Sequence, residues 1–288
     1  MNTLTAVLTG LCVVAVLYPL ADIVYEAFVR GGSVLFQAQF LTAVPPTPCS
    51  AISCSTVGIG PEIQGTLVML GLAAAIAVPV GVLAAIFAAE YRGRGLGRAI
   101  SFTADVLTGV PSIIVGAFVY TYFVLYAPTI PLSPTVIIPS AVAGALALSM
   151  IMIPIVTRTT EEALSIVPDS MREAALALGI SKWKSTTRIV LIASLPGTLT
   201  GVLLAVMRAA GEAAPLLFTA AGSNYYLHGL NTPTGALPLI IYTFALSPAS
   251  NWKEVAWGAT LFLLILVLAA NVLSRMMIRR LARRMGRV

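Results

Sequence analysis

Arg208 and Glu212 stand four residues apart in an otherwise apolar run, LLAVMRAAGEAAPLLFTA. On a helix that spacing puts both on one face, near enough to pair. A guanidinium offers a planar fork of N–H donors that matches the oxygens of a phosphate or carboxylate. Counting about 1.5 Å per residue from a helix that enters an apolar layer near Leu195 places Arg208 about 20 Å deep. Charges at such depth are costly and normally face a bundle interior or a water-filled path. Two chemistries follow: Arg208 meets a passing anion while Glu212 holds the guanidinium until that anion competes, or the two form a buried ion pair that locks membrane subunits together.

A second candidate lies just upstream, in EEALSIVPDSMREAALALGISKWKSTTR, a charged island between apolar stretches. Pro168 and Asp169 lead in, and Ser170 with Glu173 have the Ser-x-x-Glu spacing of a capping box. Gly179 supplies a left-handed stop after Ala174 and Ala175. A helix that short is marginal in water unless it docks on something. Its expected partner is another protein.

The elements that position these groups are set by composition. With 58% hydrophobic and 10% charged residues and a mean hydropathy of +0.96, the chain is too apolar for a soluble core. A bilayer span needs about 20 mostly apolar residues. Six runs qualify, at about 4–29, 63–89, 99–127, 136–157, 189–221 and 255–277. They are continuous rather than alternating, which predicts an all-α polytopic membrane protein, not a β-barrel. The first run lacks a basic leader and a clean small-residue cleavage site, so it is read as a helix of the protein rather than a secretory signal.

Fourteen of the 17 basic residues fall in the turn after the second run, in the 158–188 island, or in Arg275 and the 278–288 tail that follows it. By the positive-inside rule these face the cytoplasm, with both termini. The tail arginines gather on one half of a helix opposite Met277, Ile278, Leu281 and Met285, suited to an anionic lipid surface. The segments Gly31–Pro61 and Gly222–Trp252 then face outward as loops too short to bury a core. Trp252, Trp257, Tyr225 and Tyr226 are expected interface aromatics. Asp105 is read as forming a helix-end hydrogen bond. Cys49 and Cys54 share the first loop on the oxidising side, where they either form a local disulfide or remain two free thiols. His228 is the sole histidine and cannot by itself build a metal site; no metal and no nucleic-acid role is expected.

Glu173-Ala174-Ala175, three residues, then Gly179, some ten residues before the next span, resembles the EAA loop of ABC importer permeases. Where that family's pattern continues I-x-L-P, this chain reads Ile189, Val190, Leu191, Ile192, with Pro196 following. VPVGVLAAIFAAEYRG, LTGVPSIIVGAFV and LLAVMRAAGEAAPLLFTA are similar to the permease subunits of the phosphate-specific importer, the A-type subunit above all. The resemblance implies a single transmembrane domain over 1–288 with the type I importer permease fold, in which the island is the coupling helix that sits in an ATPase cleft. It also implies a heterodimer with a second permease, two ATPase subunits and an extracytoplasmic phosphate-binding protein. The chain holds no G-x-x-x-x-G-K-[ST] loop, so it is expected to be a non-catalytic subunit that binds no cofactor and relies on a partner to use ATP. Permeases for sulfate, molybdate or phosphonate share the EAA loop and stay open as alternatives. A secondary transporter would be expected to show two similar halves with broken helices.

Overall fold

The computed structural model describes residues 3–48, 58–91, 93, 95–126 and 138–284. Cys49 and Cys54 lie outside the described residues, as do Arg92, Arg94 and the last four residues of the tail. Among the described residues every named element is helical, running α1 (Thr3–Leu35), α2 (Gly60–Glu90), α3 (Gly95–Thr108), α4 (Ser112–Val119), α5 (Ala141–Ser165), α6 (Asp169–Ala177), α7 (Lys182–Ser185), α8 (Leu191–Ala210), α9 (Leu216–Thr219), α10 (Leu237–Ala245) and α11 (Ser250–Arg284). α4 continues as a π-helical segment, Tyr120–Tyr126, and a second one, Thr186–Val190, joins α7 to α8. Among the described residues five helical runs are long and apolar enough to cross a membrane, or six if the bent pair α3 and α4 is one span.

The centre is α5, packed most extensively on α2 and next on α8. Met69, Ala73 and Ala77 of α2 meet Ala145, Leu148, Met152 and Val156 of α5 and Ala205 and Ala209 of α8. Small side chains let these backbones approach closely, the packing that apolar solvent requires because burial alone gives membrane helices no drive to associate. At Gly201 a Cβ would come 2.0 Å from Thr159 Oγ1, and at Gly81 one would come 2.8 Å from Val156. α1 leaves its apolar stretch facing outward and packs on α11.

The elements depart from their sequence-derived bounds in four places. The 99–127 run is not one helix: it breaks at Gly109–Val110–Pro111, and its halves are bent by 102°. Proline has no N–H to continue the ladder, and Pro111 caps α4 in extended backbone (φ −57, ψ 131). The 189–221 run ends at Ala210, capped by Gly211, with α9 a separate turn. The 158–188 island begins helical, its first eight residues completing α5. The 222–252 segment is not all loop, because LPLIIYTFA folds as α10 and buries Leu237, Ile240 and Phe244 against α11 and the end of α1. Trp252 is not a free interface aromatic; it stacks on Phe244 with centroids 4.1 Å apart and donates to Pro46 O at 2.9 Å.

Candidate functional site: a tethered helix and an arginine-lined cavity

α6 begins two residues earlier than a Ser170–Glu173 capping box requires. Pro168 is its N-cap and no side chain caps it. Ser170 therefore sits inside the first turn, and the expected Ser170–Glu173 box is not formed. Asp169, the first helical residue, instead places a negative charge where the helix dipole favours one. The other end follows expectation: Gly179 is left-handed (φ +76), its N–H donates to Leu176 O at 2.9 Å, and Ile180 N–H donates to Ala175 O at 3.1 Å. This is the double bond of a Schellman stop. Ala175 is buried, whereas Ser170, Glu173 and Ala174 face outward. Ile166 and Leu178, each 80% exposed, and Trp183, at 65%, flank them.

The helix is held by ion pairs that the sequence alone does not reveal. Arg172 pairs with Glu90, at the last position of α2, and donates to Leu164 O at 3.0 Å in the last turn of α5. Asp169 lies 3.5 Å from the same guanidinium. Lys182 approaches the Glu90 carboxylate at 3.7 Å and lies 4.5 Å over the Tyr91 ring. Glu90 is only 11% exposed, so this pairing is well removed from water. The sequence signal for it was thin: one acidic residue at the end of a long uncharged run, its partner 82 positions away.

A second ionic cluster ties α3 to α5. Arg158 pairs with Asp105 at 2.7 Å and with Glu161 at 3.0 Å, and Glu161 accepts from Ser101 at 2.9 Å. Asp105 thus makes an inter-helix ion pair rather than the expected helix-end hydrogen bond. Above this cluster the Gly109–Pro111 bend, together with Met150 and Ile155 of α5 and Arg208 of α8, lines a cavity of about 670 Å³.

Arg208 occupies the last turn of α8, where backbone carbonyls favour a cation. Glu212 lies past the helix end, not on the continuous helical face the spacing implied, yet its carboxylate still comes within 3.7 Å of Arg208 Nε. The contact is loose. Arg208 remains 53% exposed while Glu212 is only 19% exposed, so much of the guanidinium is available to the cavity. The lining around it is otherwise mostly apolar, and among the described residues Arg208 is its one charged group. Among the described residues no cluster of three His, Cys, Asp or Glu side chains is placed to hold a metal.

The family described as binding-protein-dependent transport system inner membrane component matches residues 77–287. The phosphate transport system permease protein PstA of Yersinia pestis is 38% identical over 275 residues, covering 95% of this chain and 88% of the relative. The chain belongs to the binding-protein-dependent inner-membrane transport components. PstA 1 of Mycobacterium tuberculosis, also named a phosphate transport system permease protein, is 40% identical over 236 residues, covering 80% and 72% of the two chains. A chain of a bacterial alginate ABC transporter, solved with its pentasaccharide-bound periplasmic protein, superposes with a TM-score of 0.68 at 15% identity over 96% of this chain and 94% of that one. A chain of the inward-facing MetNI methionine ABC transporter gives 0.56 at 18% identity over 77% and 96%. At such identities the likeness shows the fold, which is that of an ABC importer permease. As a member of this family the transport component is a multi-pass protein of the inner membrane and works with ATPase and substrate-binding partners.

Proposed function

We propose that this chain is the membrane subunit of an ATP-driven importer of inorganic phosphate, supplying one wall of the translocation pathway and coupling it to a separate ATPase. The supporting observation is that the exposed, tethered α6 and the cavity holding Arg208 are joined through the same two helices, α5 and α8. The substrate follows from the names borne by relatives 38% and 40% identical. With fourteen of 17 cations at the α6 end or in the tail, that end and both termini lie in the cytoplasm. The chain itself hydrolyses nothing and binds no cofactor. Two ATPase subunits use ATP, a homologous second permease completes the pathway as a heterodimer, and an extracytoplasmic phosphate-binding protein delivers the anion.

In this reading α6 enters a cleft of the ATPase with Ser170, Glu173 and Ala174 outward, and Ala175 and Gly179 fix its packing and its end. Closure of the two ATPase subunits on ATP draws the coupling helices together. Arg172 and Glu90 carry that displacement into α2, and the continuous chain carries it into α5. The Arg158–Asp105 pair passes it to α3 and hence to the bend that lines the cavity. Arg208 then exchanges its loose contact with Glu212 for two hydrogen bonds to phosphate oxygens.

The test is Arg208→Gln in the reconstituted complex. Phosphate uptake falls to background while the second permease and the ATPase still assemble. Loss of assembly with Arg208→Gln would instead assign the pair to subunit locking, and unchanged uptake would remove Arg208 from the pathway.

A further inference from the structure

At the opposite end of α2 from Glu90 lies a second buried glutamate to which the transport cycle above assigns no role. Glu62 is the third residue of the helix and only 1% exposed, and its Oε2 meets no hydrogen-bond donor among the described residues. It borders a pocket of about 180 Å³ lined also by Ser223, Asn224, Gly235, Leu239 and Thr243, and among the described residues no lysine or arginine stands in its wall. A buried carboxylate without a counter-charge is among the most costly groups a protein can hold. The partial positive charge of the α2 N-terminus offsets only part of that cost.

The pocket is built rather than incidental. Its roof carries two consecutive left-handed residues, Ala221 (φ 64) and Gly222 (φ 63). A non-glycine residue in that region persists only where its surroundings hold it. Here Thr234 N–H donates to Ala220 O at 3.0 Å, Leu227 N–H to Gln64 Oε1 at 2.9 Å and Leu237 N–H to Thr66 Oγ1 at 2.8 Å. Gly235 closes the side: a Cβ there would fall 2.5 Å from Ser223 O and 3.2 Å from Glu62 Cγ. The shape is therefore set in the absence of any occupant, which lowers the ordering cost of receiving one.

We propose that this pocket is a socket for a cationic side chain, a lysine ammonium or an arginine guanidinium, of the extracytoplasmic solute-binding protein. The inference rests on the import reading and orientation given above. In that orientation α6 and Glu90 mark the cytoplasmic end of α2, so Glu62 and the 221–236 segment lie on the face where a binding protein docks. One carboxylate surrounded by neutral hydroxyl and amide groups suits a cation that brings several donors of its own. A calcium site would call for six to eight oxygen ligands, several of them carboxylates, and the described residues place no second acid in the wall.

The experiment titrates labelled solute-binding protein against the complete complex in proteoliposomes, comparing wild type, Glu62→Gln and Glu62→Asp at low and high salt. Glu62→Gln keeps the carboxylate's shape without its charge, and docking weakens at least tenfold through faster dissociation, while the second permease and the ATPase assemble normally. Glu62→Asp retains part of the affinity. Wild-type docking by Glu62→Gln would overturn the socket, because the site would then need no counter-charge. Failure of Glu62→Gln to assemble would overturn it in favour of a cation from the second permease, and docking that requires added Na⁺ or Ca²⁺ would do so in favour of an ion. Wild-type phosphate uptake by the same proteoliposomes separates the two ideas. Import of another solute with docking still sensitive to Glu62→Gln sinks only the substrate reading; normal phosphate import with insensitive docking sinks only the socket.

Discussion

Glu90 and Glu62 close opposite ends of one helix and are both largely buried, yet their surroundings differ in kind. Glu90 is completed from within the chain by Arg172 and Lys182, while Glu62 Oε2 has no partner among the described residues. In the proposed function the α6 end moves as one body with the helix that the ATPase grips, and charges satisfied internally suit that role. In the proposed socket the opposite end accepts and releases a binding protein at every turnover, and a charge left for that partner to complete suits that role. α2 thus reads as a lever with a fixed joint at one end and a socket at the other.

The hardest blow to that contrast is Glu90→Arg, which sets a third cation against Arg172 and Lys182. Removing one side of a buried pair costs about 3–5 kcal/mol, and reversal costs at least as much. ATPase binding and uptake fall to background, and proteolysis of the 166–181 segment speeds up. The exchange Glu90→Arg with Arg172→Glu restores a measurable fraction of uptake; a double variant no better than either single one would break the idea of a fixed joint. Neutralisation sharpens the comparison next. Glu90→Gln lowers the melting temperature of the purified complex, whereas Glu62→Gln leaves it level or raises it, since the first loses a compensated charge and the second an uncompensated one. Equal losses would mean that the two ends are alike.

Smaller effects follow. Gly235→Ala forces a Cβ against Ser223 O, a strain of about 1–3 kcal/mol, and weakens binding-protein docking without touching ATPase binding. Gly179→Ala places a side chain at φ +76, costing about 1–2 kcal/mol at the α6 stop, and lowers transport per ATP hydrolysed. Lys182→Gln is the mildest. Lys182 is 54% exposed, exposed pairs contribute under about 1 kcal/mol, and uptake stays within about twofold of wild type.

Much of this architecture was legible in the residues because the bilayer imposes simple demands. Long apolar runs gave the helices, and Gly179 marked the end of α6 because few other residues adopt its left-handed backbone. The break at Gly109–Pro111 was not legible, since hydropathy counts apolar residues without recording the direction of the chain. α10 was hidden because a mostly apolar stretch of nine residues is too short to span and its packing surface lies on α11. The Ser170–Glu173 pattern misled because the spacing alone does not fix where a helix starts, and the extended backbone of Pro168 makes that residue the N-cap. For the site, Arg208 and Glu212 announced themselves as charges in an apolar run. Glu90 and Arg172 did not, because their significance lies in a contact across 82 positions.

The most direct measurement of the central claim is uptake of labelled phosphate by proteoliposomes holding the full complex, with ATP inside and binding protein outside, against excess sulfate or molybdate. Phosphate accumulates only with both ATP and the binding protein present, and neither competitor reduces it. Accumulation of sulfate or molybdate instead, or phosphate entry that proceeds without the ATPase, would contradict the claim.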